Sequence, residues 1–437
     1  MKALRATGRK LLLAWTALAA LASCAPGKKM DDPELSALLR SSGAEETGED
    51  KTVLTLWSFH QAKEFEFWQW LGERYEAEFP DIDIKVEYIS SDIYFSGTRL
   101  LAPFASGHGP DVFFVSSATI RRFADASLLY PLTGRLAPDV RADFDPAALL
   151  SASLDGELLA IPFETELLGL YYNKNMFAKA GLAPPRTWEE TKAAAEALTT
   201  KGTSGLTIET FGNVYQNFSW LPFLWQTGAD VLSGDGRSSG FDEDGALRTY
   251  SYFSDLRSRG LLNMNPSRPT TDIAIIANGE TAMQVSGSWN VRLLETEYAD
   301  APIGVVPLPY PEGGARTTIA GGWKIAANRA GAHADEAAKF ILWAFAGDPD
   351  IPLKWSSEAK FAYSPRRSVM EAGERFYNQG LRAEFTKRIF GTERQEPQYP
   401  ERINQIYSES LQRLLKGDEE ASVIVRDTHR RLEEALR

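Results

Sequence analysis

Cysteine is almost absent from this 437-residue chain: Cys24 is the only one, so no intramolecular disulfide can form. Histidine is scarce as well, with four scattered residues. Neither type recurs at a metal-ligand spacing, which argues against a zinc, haem or iron–sulfur centre, and no cofactor is expected. Long apolar runs are missing; the stretch from Leu11 to Ala20 falls short of the roughly 20 residues that a spanning helix needs. Positive charge is in deficit, 47 Lys and Arg against 59 Asp and Glu for a net charge of −12. That balance opposes binding to nucleic acid or polybasic adhesion to anionic lipid. No phosphate-cradling G-x-x-x-x-G-K-[ST] sequence occurs, so any ATPase must be another polypeptide. What is abundant is apolar and aromatic: 43% hydrophobic residues with 11 Trp and 23 Phe, enough for large cores and more than one domain.

The N-terminus reads as an export signal. Lys2, Arg5, Arg9 and Lys10 precede the apolar run, and small residues follow it. Leu21-Ala22-Ser23-Cys24 resembles the lipobox of bacterial lipoproteins, which implies cleavage after residue 23 and lipidation of Cys24 as a lipid anchor. The protein is then expected outside the cytoplasmic membrane, on its periplasmic or cell-surface face. Residues 1–23 carry four basic and no acidic groups, so their loss leaves a still more acidic chain. Residues 24–51, rich in Gly, Ser, Asp and Glu, cannot bury a core and are expected to form a flexible tether.

Order is expected from Val53-Leu54-Thr55-Leu56-Trp57, an apolar strand covered on both faces. Phe65, Trp68, Leu71 and Tyr75 recur at helical spacing up to Pro80, and Ile82, Ile84, Val86 and Tyr88 alternate as a strand. A further helical stretch around Leu100 to Phe104 leads to the strand Val112–Val115. Strand, helix, strand, helix, strand is the doubly wound α/β pattern. Further on, Leu167–Tyr172 reads as a strand, Thr187 and Glu190 fit a capping box, and Phe211–Trp225 is an aromatic segment punctuated by Gly and Asn, read as a loop. Ile303–Pro309 reads as a strand leading back, Asp335–Phe345 as an amphipathic helix, and the region after Pro397 as mostly helical.

Several stretches resemble, in order, the bacterial extracellular solute-binding proteins of the sugar-binding type (family 1, which includes maltose-binding protein). They are Leu54–Ser58, Phe79–Val86, Gly107–Val112, Leu170–Phe177 continuing to Glu190, Gly279–Met283 with Gly287-Ser288-Trp289, Gly321-Gly322-Trp323 and Ser364-Pro365-Arg366. The resemblance spans roughly residues 53–366. It implies a two-lobed periplasmic-binding-protein fold of type II, each lobe a doubly wound α/β sheet, joined by crossing hinge segments. The implied lobes are 52–163 with 304–350, and 164–303 with 351–437. A ligand would sit in the cleft of a monomer that closes by hinge motion and delivers its solute to ABC permease subunits served by a separate ATPase.

A pyranose offers apolar C–H faces and a rim of hydroxyls, which calls for aromatic planes beside carboxylates and amides. Candidates on the first strands are Trp57, at a strand's C-terminal end, Asp111, and Ser117 after the strand that ends at Val115. Glu164 and Glu166 interrupt an apolar run and, two apart in an extended segment, point to the same side. The resemblance implies that this segment crosses between lobes and makes Glu166 the preferred hydroxyl acceptor. Trp220 and Trp225 come from the aromatic segment. Trp289 matches the family's sugar-stacking tryptophan, followed by Trp323 with Gly322, where glycine lets backbone approach a ligand. Tyr363 and Arg366 are placed to close the pocket. Ser116-Ser117-Ala118-Thr119 departs from the family, which often has an aromatic residue there, so one stacking platform is expected to be missing and maltose-like oligosaccharides are disfavoured. Two other readings use the same residues: a secreted carbohydrate hydrolase working through Glu164 and Glu166, and a structural or adhesive lipoprotein.

Overall fold

The structure, a computed structural model, describes residues 51–96, 99–241 and 243–437. Cys24, the signal segment and the tether up to residue 50 therefore lie outside the described residues. Two mixed sheets organise the rest. The strands are β1 (Thr52–Ser58), β2 (Ile82–Tyr88), β3 (Val112–Val115), β4 (Ile161–Pro162), β5 (Glu166–Asn173), β6 (Ser204–Thr207), β7 (Thr281–Gly287), β8 (Ile303–Val306), β9 (Thr318–Gly321), β10 (Lys324–Ala327) and β11 (Glu393–Gln395). A short separate hairpin adds residues 153–158.

The first sheet runs β2-β1-β3-β10-β4, with β1 parallel to β2 and β3, and β10 antiparallel to both β3 and β4. All of β3 is buried, as a continuous apolar strand covered on both faces should be, whereas in β1 Leu54 and Leu56 are buried and Val53 and Thr55 only partly so. Helix α1 (Ala62–Glu78) packs Trp68, Leu71 and Tyr75 inward, and Phe67 rather than Phe65 completes that face. The core beneath it is aromatic: Trp68 meets Phe114 at 4.8 Å and Trp355 at 5.1 Å between ring centroids.

The second sheet runs β11-β9-β5-β7-β6, with β8 paired to β5 off that path. Its centre is β5, buried almost throughout and antiparallel to β7, β8 and β9. The Thr187–Glu190 capping box starts the helix Trp188–Leu198, with the Glu190 N–H donating to Thr187 Oγ1 at 3.1 Å. The aromatic segment expected as a loop is instead helix α2 (Val214–Gln226), capped by Asn213 Oδ1 on the Gln216 N–H. It is buried around its whole circumference, polar Gln216, Asn217, Ser219 and Gln226 included, so it showed no amphipathic stripe to read. The helix Ala334–Ala346 and the C-terminal helices Glu401–Lys416 and Ala421–Ala435 stand where helices were expected.

Strand pairing shifts the expected division of the chain. β8 and β9 belong to the second sheet, and the chain rejoins the first only at Lys324, past Gly322-Trp323, not near residue 304. Short apolar strands announce themselves in sequence but not their partners. Trp355 likewise packs on Phe67 and Trp68 of α1, so residues around it side with the first sheet. Chain crosses between the sheets where Thr165 and Tyr363 exchange backbone hydrogen bonds of 2.7 and 2.9 Å. Among the described residues no helix is long and apolar enough to cross a membrane, and no group of three or more His, Cys, Asp or Glu could hold a metal ion.

Candidate functional site

A cleft of about 610 Å³ opens between residues of the two sheets. Its aromatic lining comes from both sides: Phe59, Phe95 and Trp323 on one, Tyr215, Phe218 and Trp289 on the other. Trp323 lies nearly parallel to Phe95 (5.9 Å, 21°) and 4.6 Å from Phe59. Opposite, the Trp289 ring meets Tyr215 at 5.9 Å, and its Nε1–H points at the Thr271 carbonyl at 3.3 Å. The ring lies so close over Gly287 that a Cβ there would stand 1.8 Å from it, which is why glycine precedes this tryptophan by two.

The polar floor is a buried ionic cluster. Lys360 Nζ lies 2.7 Å from Glu166 Oε1 and 3.2 Å from both oxygens of Glu164. Glu164 also accepts from the Trp323 N–H at 3.1 Å and from Trp355 Nε1 at 2.9 Å. Burial works against the ammonium of Lys360, but Glu164 and Glu166 outweigh it and hold its pKa above the ordinary lysine value. Burial, opposed by Lys360 and reinforced by Glu164, pushes the Glu166 carboxyl up to about 8. Glu64 at the end of the cluster is pushed up to about 7, again first by burial. His60 is held well below the ordinary histidine value by burial and by Lys360, so its ring is neutral. Nearby, Lys324 Nζ donates to Ser117 Oγ (2.8 Å) and to the Gly322 carbonyl (2.9 Å); burial lowers its pKa. Glu396 accepts the Ser117 N–H at 3.1 Å, and burial raises its carboxyl.

Of the residues singled out from sequence, Glu166, Trp289, Gly322 and Trp323 line the cleft together. Glu164 lies directly behind them, both carboxylates turned to the same lysine as their spacing required. The others stand outside the lining. Trp57 is 2% exposed and donates to Glu87 at 2.9 Å, because the strand turns its ring into the core. Asp111 clasps β1 to β3 by accepting from the Thr55 N–H and hydroxyl, each at 2.9 Å. Ser117 spends its hydroxyl on Lys324. Trp220 donates to the Glu209 carbonyl and Trp225 to Asp230, both from the buried helix α2. Tyr363 is tied to Thr386 at 2.9 Å and Arg366 to Asp143 at 2.8 Å.

Sequence reasoning passed over Phe59, His60, Glu64, Phe95, Tyr215, Phe218 and Lys360. Phe59 and His60 follow the end of β1, so the rule that ligands meet strand C-termini pointed to their place but stopped at Trp57. Tyr215 and Phe218 sat inside the flagged aromatic segment. Phe59 and Phe95 also supply the aromatic surface that Ser116–Thr119 was expected to leave missing.

The description "Bacterial extracellular solute-binding protein" belongs to a family model that matches residues 61–348, well over half of the chain. This chain belongs to that family. As a solute-binding protein it works outside the cytoplasm and is a binder rather than an enzyme. A binding protein of Brucella abortus is 26% identical over 294 residues, 65% of this chain and 68% of that one. The maltotriose-binding protein of Pyrococcus abyssi is 27% identical over 322 residues, 70% of this chain and 64% of its own. Among solved structures, an ABC transporter solute-binding protein from Thermotoga lettingae bound with α-D-tagatose superposes with a TM-score of 0.78 at 22% identity, covering 89% of this chain and 100% of that one. The solute-binding protein thus has the two-lobed α/β fold expected of it.

Proposed function

We propose that this solute-binding protein takes a neutral sugar or short oligosaccharide between its lobes, closes over it, and delivers it unaltered to the permease of an ABC importer driven by a separate ATPase. The observation that carries the reading is the pairing of two aromatic walls with a carboxylate-rich floor in a cleft of about 610 Å³. Aromatic planes take the C–H faces of a pyranose while carboxylates take its hydroxyl protons. The Pyrococcus abyssi relative, named for maltotriose, and the tagatose-bound Thermotoga lettingae structure agree with this ligand class.

The first lobe is proposed to comprise the first sheet with α1 and the residues around Trp355, and the second lobe the sheet built on β5, hinged where Thr165 meets Tyr363. Cys24 is proposed to carry the lipid that holds the monomer to the membrane. Calorimetry and X-ray scattering with maltose, maltotriose, mannotriose and D-tagatose, and a glycerol phosphodiester as control, test the reading. Binding of at least one sugar with a contracted scattering profile is expected; no binding and no contraction would overturn it, as would a cleaved sugar. Fatty-acid labelling that persists in Cys24→Ala would refute the anchor.

A further inference from the structure

One side chain of the cleft has hydrogen-bonding capacity that is both buried and unused. His60 is 2% exposed and lines the cleft. Trp68 Nε1 donates to His60 Nδ1 at 3.0 Å, and an indole nitrogen can only donate. Nδ1 is therefore the acceptor, and the neutral ring carries its proton on Nε2. Ser58 Oγ, 3.0 Å from the same Nδ1, accepts the His60 backbone N–H at 3.2 Å and fixes the ring's seat. Phe59 stacks on the imidazole at 4.3 Å, while Trp355 meets it edge-on at 5.1 Å.

Nε2 is buried and has no hydrogen-bond partner. The facing carboxylate oxygen, Glu64 Oε2, stands 3.9 Å away, too far for a direct bond. The charged groups acting on His60 and Glu64 are Lys360 on the cleft floor, Glu164 behind it and Arg292 on the opposite wall. A donor aimed across a gap at an acceptor calls for a group that does both jobs. A hydroxyl is such a group: its oxygen accepts one hydrogen bond while its proton donates another. A carboxylate or phosphate would satisfy His60 but meet Glu64 charge against charge. A protonated amine would satisfy Glu64 and bring no acceptor to His60.

We infer that the His60 Nε2–H and the Glu64 carboxylate grip one ligand hydroxyl between them, and that this pair makes the cleft selective for neutral, hydroxyl-bearing solutes. The inference rests on the saccharide reading above and assigns it two determinants.

Histidine-selective ¹⁵N spectroscopy on the whole protein tests it, with maltotriose, D-tagatose and, separately, glycerol as probes. Unliganded His60 is expected as the neutral Nε2–H tautomer at neutral pH. Its Nε2 resonance is expected to move when a sugar binds. Affinity is expected to fall about tenfold in His60→Ala and ten- to a hundredfold in Glu64→Ala. Glu64 is part-exposed, so its variant carries the test should His60→Ala fail to fold. An Nδ1–H tautomer, or sugar binding with Nε2 unmoved and affinity unaltered in Glu64→Ala, would overturn the pair. If none of the four sugars of the binding test binds, the saccharide reading fails by itself. Glycerol then decides: a shift of His60 Nε2 that Glu64→Ala abolishes upholds the pair, and an unchanged spectrum overturns it.

Discussion

At the scale of single residues, the cleft turns on whether a side chain's polar atoms are already used. Trp57, Trp220 and Trp225 each donate to a fixed protein oxygen and lie in cores, so they have nothing left to offer a ligand. Trp289 keeps an open ring face, held at that angle because Gly287 has no Cβ to push it away. Trp289→Ala is expected to weaken sugar binding by at least about 0.5–1.5 kcal/mol, the share of an aromatic contact beyond its area burial. The thermal midpoint of the unliganded protein should scarcely move, because the ring is only half-buried. Gly287→Ala should cost similar affinity by displacing the same ring. Calorimetry beside thermal unfolding separates this from a core role, in which stability would fall as far as affinity.

The elements decide where those residues meet. β5 brings Glu166 to the cleft at one end of a buried strand, and the link from β9 to β10 carries Gly322 and Trp323 across from one sheet to the other. Gly322 adopts φ +107°, a region that side chains avoid, and a Cβ there would stand 2.4 Å from the Glu164 carbonyl oxygen. Gly322→Ala is therefore expected to destabilise the protein by about 1–3 kcal/mol. It should also weaken ligand binding, since Trp323 N–H is anchored on Glu164 beside it. Urea unfolding with a parallel binding isotherm checks both; an unchanged midpoint would show that the crossing segment tolerates another path.

Stability belongs to the whole molecule, and the buried cluster gives it a pH dependence of definite sign. Glu166 and Glu64 have folded pKa values raised to about 8 and about 7, so the native state keeps protons that the unfolded chain releases near 4.5. Their contribution is present at low pH and is lost as pH climbs through the folded values. His60 works the other way: its lowered value favours the native state above about 6.5 and costs stability below. Between about pH 6.5 and 8 only the carboxyls change, and stability should fall by roughly 1–2 kcal/mol. Glu166 should dominate, since Glu64 keeps a quarter of its side chain exposed. Chemical denaturation across that interval, with Glu166→Gln flattening the slope, is the measurement; rising stability would contradict the cluster's proton balance.

Local pattern alone determined much of this protein. Helix α1, the strands β1, β3 and β5, the Thr187 capping box and the C-terminal helices follow from periodicity and capping chemistry, which act over a few neighbouring residues. Glu166 was legible because carboxylates interrupt an apolar run there and, like Trp289, through the resemblance to the family, while Gly322 and Trp323 stood out because glycine lets backbone approach a ligand. Tertiary structure alone decided that β8 and β9 join the second sheet, that α2 is a buried helix, and that Lys360 meets two glutamates nearly 200 residues before it. It also decided that His60 keeps one unused N–H. Strand partners, ion pairs and spent donors are set by contacts between distant segments, and those contacts have no period along the chain.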